Sequence, residues 1–147
     1  MDFDLDLHRP VKKPLRGDFG IGAVGAGFIM RDVQLKAYAE AGYKVAAILS
    51  RTPEIAREVA VLRGIPRVYE RIEDMLQDPA IEILDIAVPP DRQLDIVRQA
   101  VQHGGHLKGI LAQKPLAVTY EDAAEIVRLC GDAKITLAVN QNMSYDQ

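Results

Sequence analysis

Apolar residues along the chain follow two alternating patterns. Short continuous apolar runs are typical of buried strands, whereas apolar residues three or four positions apart are typical of helices. The runs that predict strands are Phe19–Val24, Lys44–Leu49, Arg67–Tyr69, Glu82–Val88, Leu107–Ala112 and Ile135–Val139. A helical pattern separates each run from the next. This alternation predicts an α/β fold, in which right-handed crossovers build a doubly wound parallel sheet with helices on both faces.

The helical patterns also predict which side chains face the core, since an amphipathic helix packs on a sheet through its apolar side. In the first helix, the expected inward positions are Ile29, Val33, Ala37 and Ala41. The second helix begins at Thr52-Pro53, a hydroxyl N-cap followed by proline at the first helical position. Its expected inward positions are Ile55, Val59 and Leu62.

Length and composition narrow the class of protein. The chain has 147 residues, of which 48% are hydrophobic and 27% charged, and its formal net charge is −3. These values are typical of one globular domain and exclude intrinsic disorder. The mixed, slightly acidic charge argues against nucleic acid or an anionic membrane as a partner. The single cysteine, Cys130, excludes a disulfide framework.

The first 18 residues form a polar lead-in that contains Pro10 and Pro14, and we expect the folded domain to span residues 19–147. The longest uncharged run near the start, Phe19–Met30, has 12 residues. That is shorter than the roughly 20 residues that a membrane span requires. Because the lead-in also lacks the apolar core of a signal peptide, we expect a cytoplasmic protein without a membrane partner.

A glycine-rich turn, Gly25-Ala26-Gly27, joins the first strand to the first helix. The first glycine permits a tight turn, and the second lets a pyrophosphate approach the backbone at the helix N-terminus. Met30 stands at the third position of the dinucleotide fingerprint, where glycine or alanine is usual. The turn predicts a dinucleotide site, and a glycine-rich turn without a ligand is the alternative.

The second strand ends in Ser50-Arg51, where a dinucleotide-binding fold usually carries an acid for the adenosine ribose. Ser50 can hydrogen-bond a 2′-phosphate, and Arg51 can pair with it or stack on adenine. The expected cofactor is therefore NAD(P), with NADP favoured over NAD. The alternative is that Arg51 is a solvated loop charge. His103 and His106 lie near no further His or Cys, so we expect no metal site.

Two more strand ends meet the same edge of the predicted sheet. Pro89 and Pro90 end the fourth strand, and Lys114 follows the fifth. A lysine at the carboxyl end of a parallel strand can bind a substrate hydroxyl, hold the nicotinamide ribose or transfer a proton. Simple strand termination by proline and a solvated lysine are the alternatives.

Five segments, taken in order, resemble the glucose–fructose oxidoreductase, inositol dehydrogenase and rhizopine-catabolism family of NAD(P)-dependent oxidoreductases. They are GAVGAGFI, AILSRTPEIA, LDIAVPPDRQ, GILAQKPLA and LAVNQNMSYDQ, within about Phe19 to Gln147. The resemblance implies a Rossmann domain and hydride transfer between a nicotinamide and a sugar, cyclitol or related polyol. Family members normally continue with a second α/β domain, which supplies most substrate contacts and often builds a homo-oligomer. This chain resembles the cofactor half.

The resemblance also assigns roles to individual positions. It makes Lys114 the catalytic residue beside nicotinamide and substrate, and it implies a cis peptide bond before Pro115. The positions expected to bind the cofactor are Gly25, Gly27, Phe28, Ile29, Ser50, Arg51, Pro89, Pro90, Gln93, Gln113, Lys114 and Asn142. Two of them depart from the family pattern, because Gln113 replaces a glutamate and Gln93 replaces a histidine.

The leading interpretation is the dinucleotide-binding domain of an oxidoreductase. A second is a non-catalytic module that binds a dinucleotide or a protein partner and lacks a substrate domain. A third is a nucleotide-sugar or methyl-donor enzyme on a similar sheet. The methyl-donor version would require an acid at the second strand tip, where Ser50 stands. Hydride transfer that depends on Lys114 distinguishes the first interpretation from the second.

Overall fold

Six parallel strands form one sheet in the computed structural model, which describes residues 16–141. The strands are β1 (Gly20–Val24), β2 (Lys44–Leu49), β3 (Arg67–Tyr69), β4 (Ile83–Ile86), β5 (Gly109–Gln113) and β6 (Thr136–Asn140). Every neighbouring pair in the sheet is parallel. The predicted α/β fold is confirmed, and the predicted bounds of β2 and β3 agree with the structure residue for residue.

Helical segments connect all of these strands. They are a π-helical segment (Ile29–Gln34) that runs directly into α1 (Leu35–Ala41), then α2 (Pro53–Arg63), α3 (Ile72–Leu76), α4 (Pro90–His103) and α5 (Tyr120–Asp132). The N-caps of α2 and α5 are threonines, and Thr119 Oγ1 accepts a hydrogen bond from the Asp122 N–H at 3.1 Å. No helix among residues 16–141 is both long and apolar enough to cross a membrane.

The strand order reverses in the middle of the sheet, which runs β3-β2-β1-β4-β5-β6. The chain moves outward from β1 to β3, then returns to the centre and places β4 on the other side of β1. The connections that leave β1 and β4 therefore diverge on opposite faces of the sheet. In doubly wound folds this point of reversal opens a crevice at the carboxyl ends of the strands.

Two apolar layers cover the two faces of the sheet. Ala23 and Ile48 belong to one buried cluster, and their chain neighbours Val24 and Ala47 belong to the other. This assignment follows from the two-residue period of a strand. The first cluster includes side chains from α2 and from the first helix, by which we mean the π-helical segment together with α1. The second cluster includes side chains from α3, α4 and α5.

The inward faces of the first two helices differ from the prediction. Met30, Gln34 and Leu35 are buried, whereas Ile29 and Val33 are 42% and 48% exposed. The expected inward positions Ala37 and Ala41 are also exposed. The π-helical segment is the physical reason, because its wider turn breaks the spacing of an ordinary α-helix.

In α2 the residues that pack on the sheet are Ala56, Val59 and Ala60, while Ile55 and Leu62 are exposed. Ala56 lies three residues before Val59 and four before Ala60, and the predicted positions are four and three residues apart. Periodicity alone therefore does not choose between the two sets. The observed set brings two alanines against the sheet, and their small side chains let the helix lie close to it.

A buried carboxyl group links the first helix to the centre of the sheet. Asp85 of β4 is fully buried, and it accepts hydrogen bonds from Gln34 Nε2 at 3.0 Å and from the Tyr38 hydroxyl at 2.6 Å. Burial raises the pKa of Asp85 to about 6, although the two hydrogen bonds favour the charged form. The fold therefore shifts this carboxyl toward its neutral form, compared with an exposed aspartate.

We expect Asp85 to make stability depend on pH. Its folded pKa lies above the ordinary value of 3.8, so its stabilising contribution is present below that value and is lost as pH rises through about 6. Between about pH 4 and 7, the free energy of unfolding should fall by about 2 kcal/mol relative to Asp85→Asn, which stays uncharged. Urea unfolding at both pH values measures this difference, and an identical pH dependence in the two proteins would contradict it.

Candidate functional site

A cleft of about 780 Å³ opens at the carboxyl edge of the sheet, where the connections that leave β1 and β4 diverge. We call it the switch-point cleft. Its walls are residues 24–27 at the end of β1, 49–52 at the end of β2, 87–89 after β4, and Ile55, Glu70, Ile72, Asp91, Arg92, Asp95, Ile96 and Gln99. This is the place where open α/β sheets bind their ligands.

The floor of the cleft depends on the first glycine of the turn. Gly25 has φ +105°, and a Cβ atom there would lie 2.4 Å from the Ala87 carbonyl oxygen. Gly25 N–H donates to the Leu49 carbonyl at 2.8 Å, and Ala87 N–H donates to the Val24 carbonyl at 2.8 Å. Glycine is required here because the tips of β1, β2 and β4 meet around it.

The second glycine of the turn has a different environment. A Cβ atom at Gly27 would meet nothing within 4 Å, and the residue is exposed in the wall of the cleft. The helix starts immediately afterwards, and the Gly27 carbonyl accepts the Arg31 N–H at 2.8 Å. The N–H groups that precede Arg31 therefore lie at the positive end of the helix, beside open space.

The charge at the tip of β2 favours the binding of an anion. Arg51 is exposed and lines the cleft, and it makes no ion pair within residues 16–141. The carboxylates of Glu70 and Asp95 also line the cleft, but Glu70 pairs with Arg57 and Asp95 lies 3.3 Å from Arg98. The neighbouring carboxylates thus have their own cations, and Arg51 remains available to a ligand.

Gln93 does not line the cleft. Its side chain has no exposed surface and hydrogen-bonds the main chain of Gln113 and Pro115. The expectation that Gln93 contacts a cofactor directly therefore finds no support, because three main-chain groups already occupy its amide. Periodicity could not show this, since the partners lie 20 and 22 residues away along the chain.

Lys114 follows β5 at the same edge of the sheet, with an exposed side chain. Its N–H donates to Gln113 Oε1 at 3.2 Å, and the Lys114–Pro115 peptide bond is cis, as expected. Gln113 Nε2 is buried without a hydrogen-bond partner among the described residues. Because the Lys114 side chain is exposed, its ammonium group can reach a ligand. The main chain around it is held by the side chain of Gln113 and by that of Gln93.

The remaining predicted positions divide into three groups. Gly25, Gly27, Ser50, Arg51 and Pro89 line the switch-point cleft. Phe28, Ile29, Pro90, Gln113 and Lys114 lie at the same edge of the sheet without lining the cleft. Asn142 lies outside the described residues.

One wall of the cleft consists of residues that are not among the predicted positions. Arg92, Ile96 and Gln99 of α4 line it, with spacings of four and three residues. That spacing is the signal that could have found them, because α4 begins directly after β4 at the point of reversal. Among residues 16–141 no group of three or more His, Cys, Asp or Glu side chains is arranged to hold a metal ion.

A second cavity, of about 520 Å³, lies at the opposite edge of the sheet and includes Lys44, Arg63 and Arg67. Arg63 lies 3.4 Å from Asp32, and Arg67 pairs with Asp78. These two cations are therefore committed to carboxylates of the chain. The cavity also has no glycine turn at a helix N-terminus, so the switch-point cleft is the better candidate for a phosphate-bearing ligand.

A comparison with known families decides the assignment. The family described as "Oxidoreductase family, NAD-binding Rossmann fold" matches residues 19–141. The chain belongs to this family. The match confirms the resemblance seen in the sequence, and it confirms that the fold is a dinucleotide-binding Rossmann fold.

Individual relatives agree with this assignment. The chain is 32% identical to an uncharacterized protein of Saccharomyces cerevisiae over 85% of its own length and 36% of that protein. It is 31% identical to D-xylose 1-dehydrogenase (NADP(+)) 2 of Haloferax volcanii over 82% of its length and 35% of that protein. The chain thus spans little more than a third of these relatives.

A solved structure extends the comparison to three dimensions. An oxidoreductase from Agrobacterium radiobacter, in complex with NAD+, L-tartaric acid and magnesium, superposes with a TM-score of 0.79 and 29% identity. The superposition covers 87% of the chain and 36% of that protein.

The residues present in the cleft fit a nicotinamide dinucleotide. Gly27 leaves open space beside the backbone, the adjoining helix presents its N-terminus, and Arg51 offers a cation without a carboxylate partner in the described part of the chain. A pyrophosphate needs backbone N–H donors and close approach, and an additional phosphate needs a cation. The cleft supplies both.

The two glycines of the turn provide a matched pair of variants. Gly27→Val should lower the affinity for a dinucleotide at least tenfold, because the side chain would fill the space beside the backbone, while stability should change little. Gly25→Ala should instead destabilise the fold by about 2 kcal/mol or more, because it combines a positive φ with a steric clash. Calorimetric titration and urea unfolding separate the effects, and unchanged affinity in Gly27→Val would refute the proposed cradle.

Proposed function

We propose that this chain forms the cofactor-binding part of an oxidoreductase that transfers a hydride between a nicotinamide cofactor and a sugar, cyclitol or related polyol. The observation that carries the proposal is the exposed Lys114 side chain at the same sheet edge as the glycine turn. The name of the Haloferax volcanii relative, a D-xylose 1-dehydrogenase, supports the substrate class.

In this proposal the chain binds and orients, and the nicotinamide supplies the redox chemistry by accepting or donating the hydride. The turn at Gly25 and Gly27 holds the pyrophosphate with backbone N–H groups. Pro89 forms the part of the cleft rim that would lie beside the nicotinamide half of the cofactor. Lys114 donates a hydrogen bond to the oxygen of the reacting carbon and stabilises the charge that develops on it.

The same proposal favours NADP as the cofactor. The tip of β2 carries no carboxylate that would bind both ribose hydroxyls, and Ser50 and Arg51 are suited to a 2′-phosphate. The relative from Haloferax volcanii is named as NADP-dependent, whereas the structure from Agrobacterium radiobacter contains NAD+. The charge of Arg51 and its lack of a carboxylate partner within residues 16–141 support NADP as the cofactor of this chain.

Arg51→Ala should lower the affinity for NADP+ at least tenfold and the affinity for NAD+ less than twofold, because only NADP+ carries the 2′-phosphate that the guanidinium would bind. Arg128→Ala is the matched control, since Arg128 is an exposed arginine of α5 paired with Asp132. Calorimetric titration with both cofactors measures the ratio. Equal losses for the two cofactors would show that Arg51 does not read the 2′-phosphate.

The reaction itself is tested with the full-length protein, NAD+ or NADP+, and a panel of aldoses, ketoses and cyclitols. We expect reduction of the cofactor with at least one member of the panel. Lys114→Ala should lower kcat at least a hundredfold, because it removes the donor that faces the reacting oxygen, and Lys114→Arg should retain part of the rate. A protein that binds the cofactor but oxidises no polyol would favour the non-catalytic module instead.

A further inference from the structure

Gln93 is one of only four buried polar or charged residues among residues 16–141, and it lies in the first turn of α4. Its side chain has no exposed surface. A buried amide carries a cost unless its donors and its acceptor find partners. The partners of Gln93 are therefore informative about what the residue does.

All three partners are main-chain groups on either side of Lys114. Gln93 Oε1 accepts the Gln113 N–H at 2.9 Å. Gln93 Nε2 donates to the Gln113 carbonyl at 3.0 Å and to the Pro115 carbonyl at 2.9 Å. Both N–H donors and the acceptor of the amide are thus used.

The position of these bonds in the sheet explains them. The pairing of β4 with β5 ends at Ile86 and Ala112, one residue before Gln113. On its other side Gln113 is still paired with Asn140 of β6. The amide of Gln93 supplies the donor and acceptor that a longer β4 would have offered, so it extends the sheet by one residue at the point where Lys114 begins.

We propose that Gln93 is a positioning residue that holds the main chain of Lys114 so that its ammonium group reaches the nicotinamide half of the cofactor. This inference rests on the proposed function. Gln93 fixes main-chain groups of Gln113 and Pro115, the two residues that flank Lys114. The side chain of Gln113 accepts the Lys114 N–H at 3.2 Å. The lysine side chain itself is exposed.

The chemistry of the amide predicts how substitutions behave. Gln93→Met has a similar shape but makes none of the three hydrogen bonds. Gln93→His in its neutral form keeps one donor and one acceptor, so it can restore part of the arrangement. Val97→Ala is the control, because Val97 is a buried apolar residue of the same helix, and its truncation lowers stability without removing a bond to Gln113 or Pro115.

The experiment follows NADP+ binding to the chain by NMR, with labelled glycine amides and labelled lysine side chains. In the wild type, NADP+ should shift the amides of Gly25 and Gly27 and the side-chain resonance of Lys114. In Gln93→Met the glycine shifts should persist at saturation, whereas the Lys114 shift should fall at least threefold. Gln93→His should recover at least half of that shift, and Val97→Ala should retain it.

The outcomes separate the two proposals. Absence of glycine shifts in the wild type would overturn the proposed function. Glycine shifts with no Lys114 shift in the wild type would overturn the positioning role, and so would an equal Lys114 shift in Gln93→Met. Equal losses in Gln93→Met and Val97→Ala would show that Gln93 only stabilises the fold, which also overturns the proposal.

Discussion

The structure depends on the close approach of the tips of β1 and β4. Gly25 lies so near the Ala87 carbonyl that a Cβ atom would approach to 2.4 Å. Because nothing larger than glycine fits, the turn after β1 is tight and the helix begins within a few residues. The same contact places the end of β4 beside that helix N-terminus. A cleft that has backbone donors on one side and the start of α4 on the other is the direct consequence.

The electrostatic character of the cleft depends on which of its charged side chains form ion pairs, rather than on the net charge of the chain. The chain has a net charge of −3, which by itself does not favour a ligand with several phosphates. In the cleft, however, Glu70 and Asp95 each contact an arginine outside it, and Asp91 lies 3.5 Å from Arg92. Each of these exposed pairs contributes little to stability. Their effect is to leave the tip of β2 and the helix N-terminus as the positive features that a ligand meets.

Much of the fold could be predicted from the sequence because its signals are local. A buried parallel strand is a short apolar run, and the runs at β2 and β3 coincide with the observed strands. The glycine turn is recognisable because its spacing reflects the backbone geometry of a single connection. The same holds for Thr119, whose hydroxyl caps the residues directly after it.

The features that could not be predicted depend on partners far away in the sequence. Ile55 and Ala56 both fit a helical period, and only the neighbouring sheet decides that Ala56 is buried. Gln93 belongs to an amphipathic helix, yet its amide hydrogen-bonds the main chain of Gln113, the last residue of another strand. Asp85 interrupts an apolar run, and its donors come from the first helix.

The central claim is that the switch-point cleft, at the carboxyl ends of β1 and β4, binds a nicotinamide dinucleotide. A crystal structure of the chain, from crystals grown with NADP+, tests this claim most directly. The account predicts the pyrophosphate against the turn at Gly25 and Gly27, with the 2′-phosphate near Arg51. Dinucleotide density at the opposite edge of the sheet, beside Lys44 and Arg63, would contradict it, as would a cleft left empty at saturating cofactor.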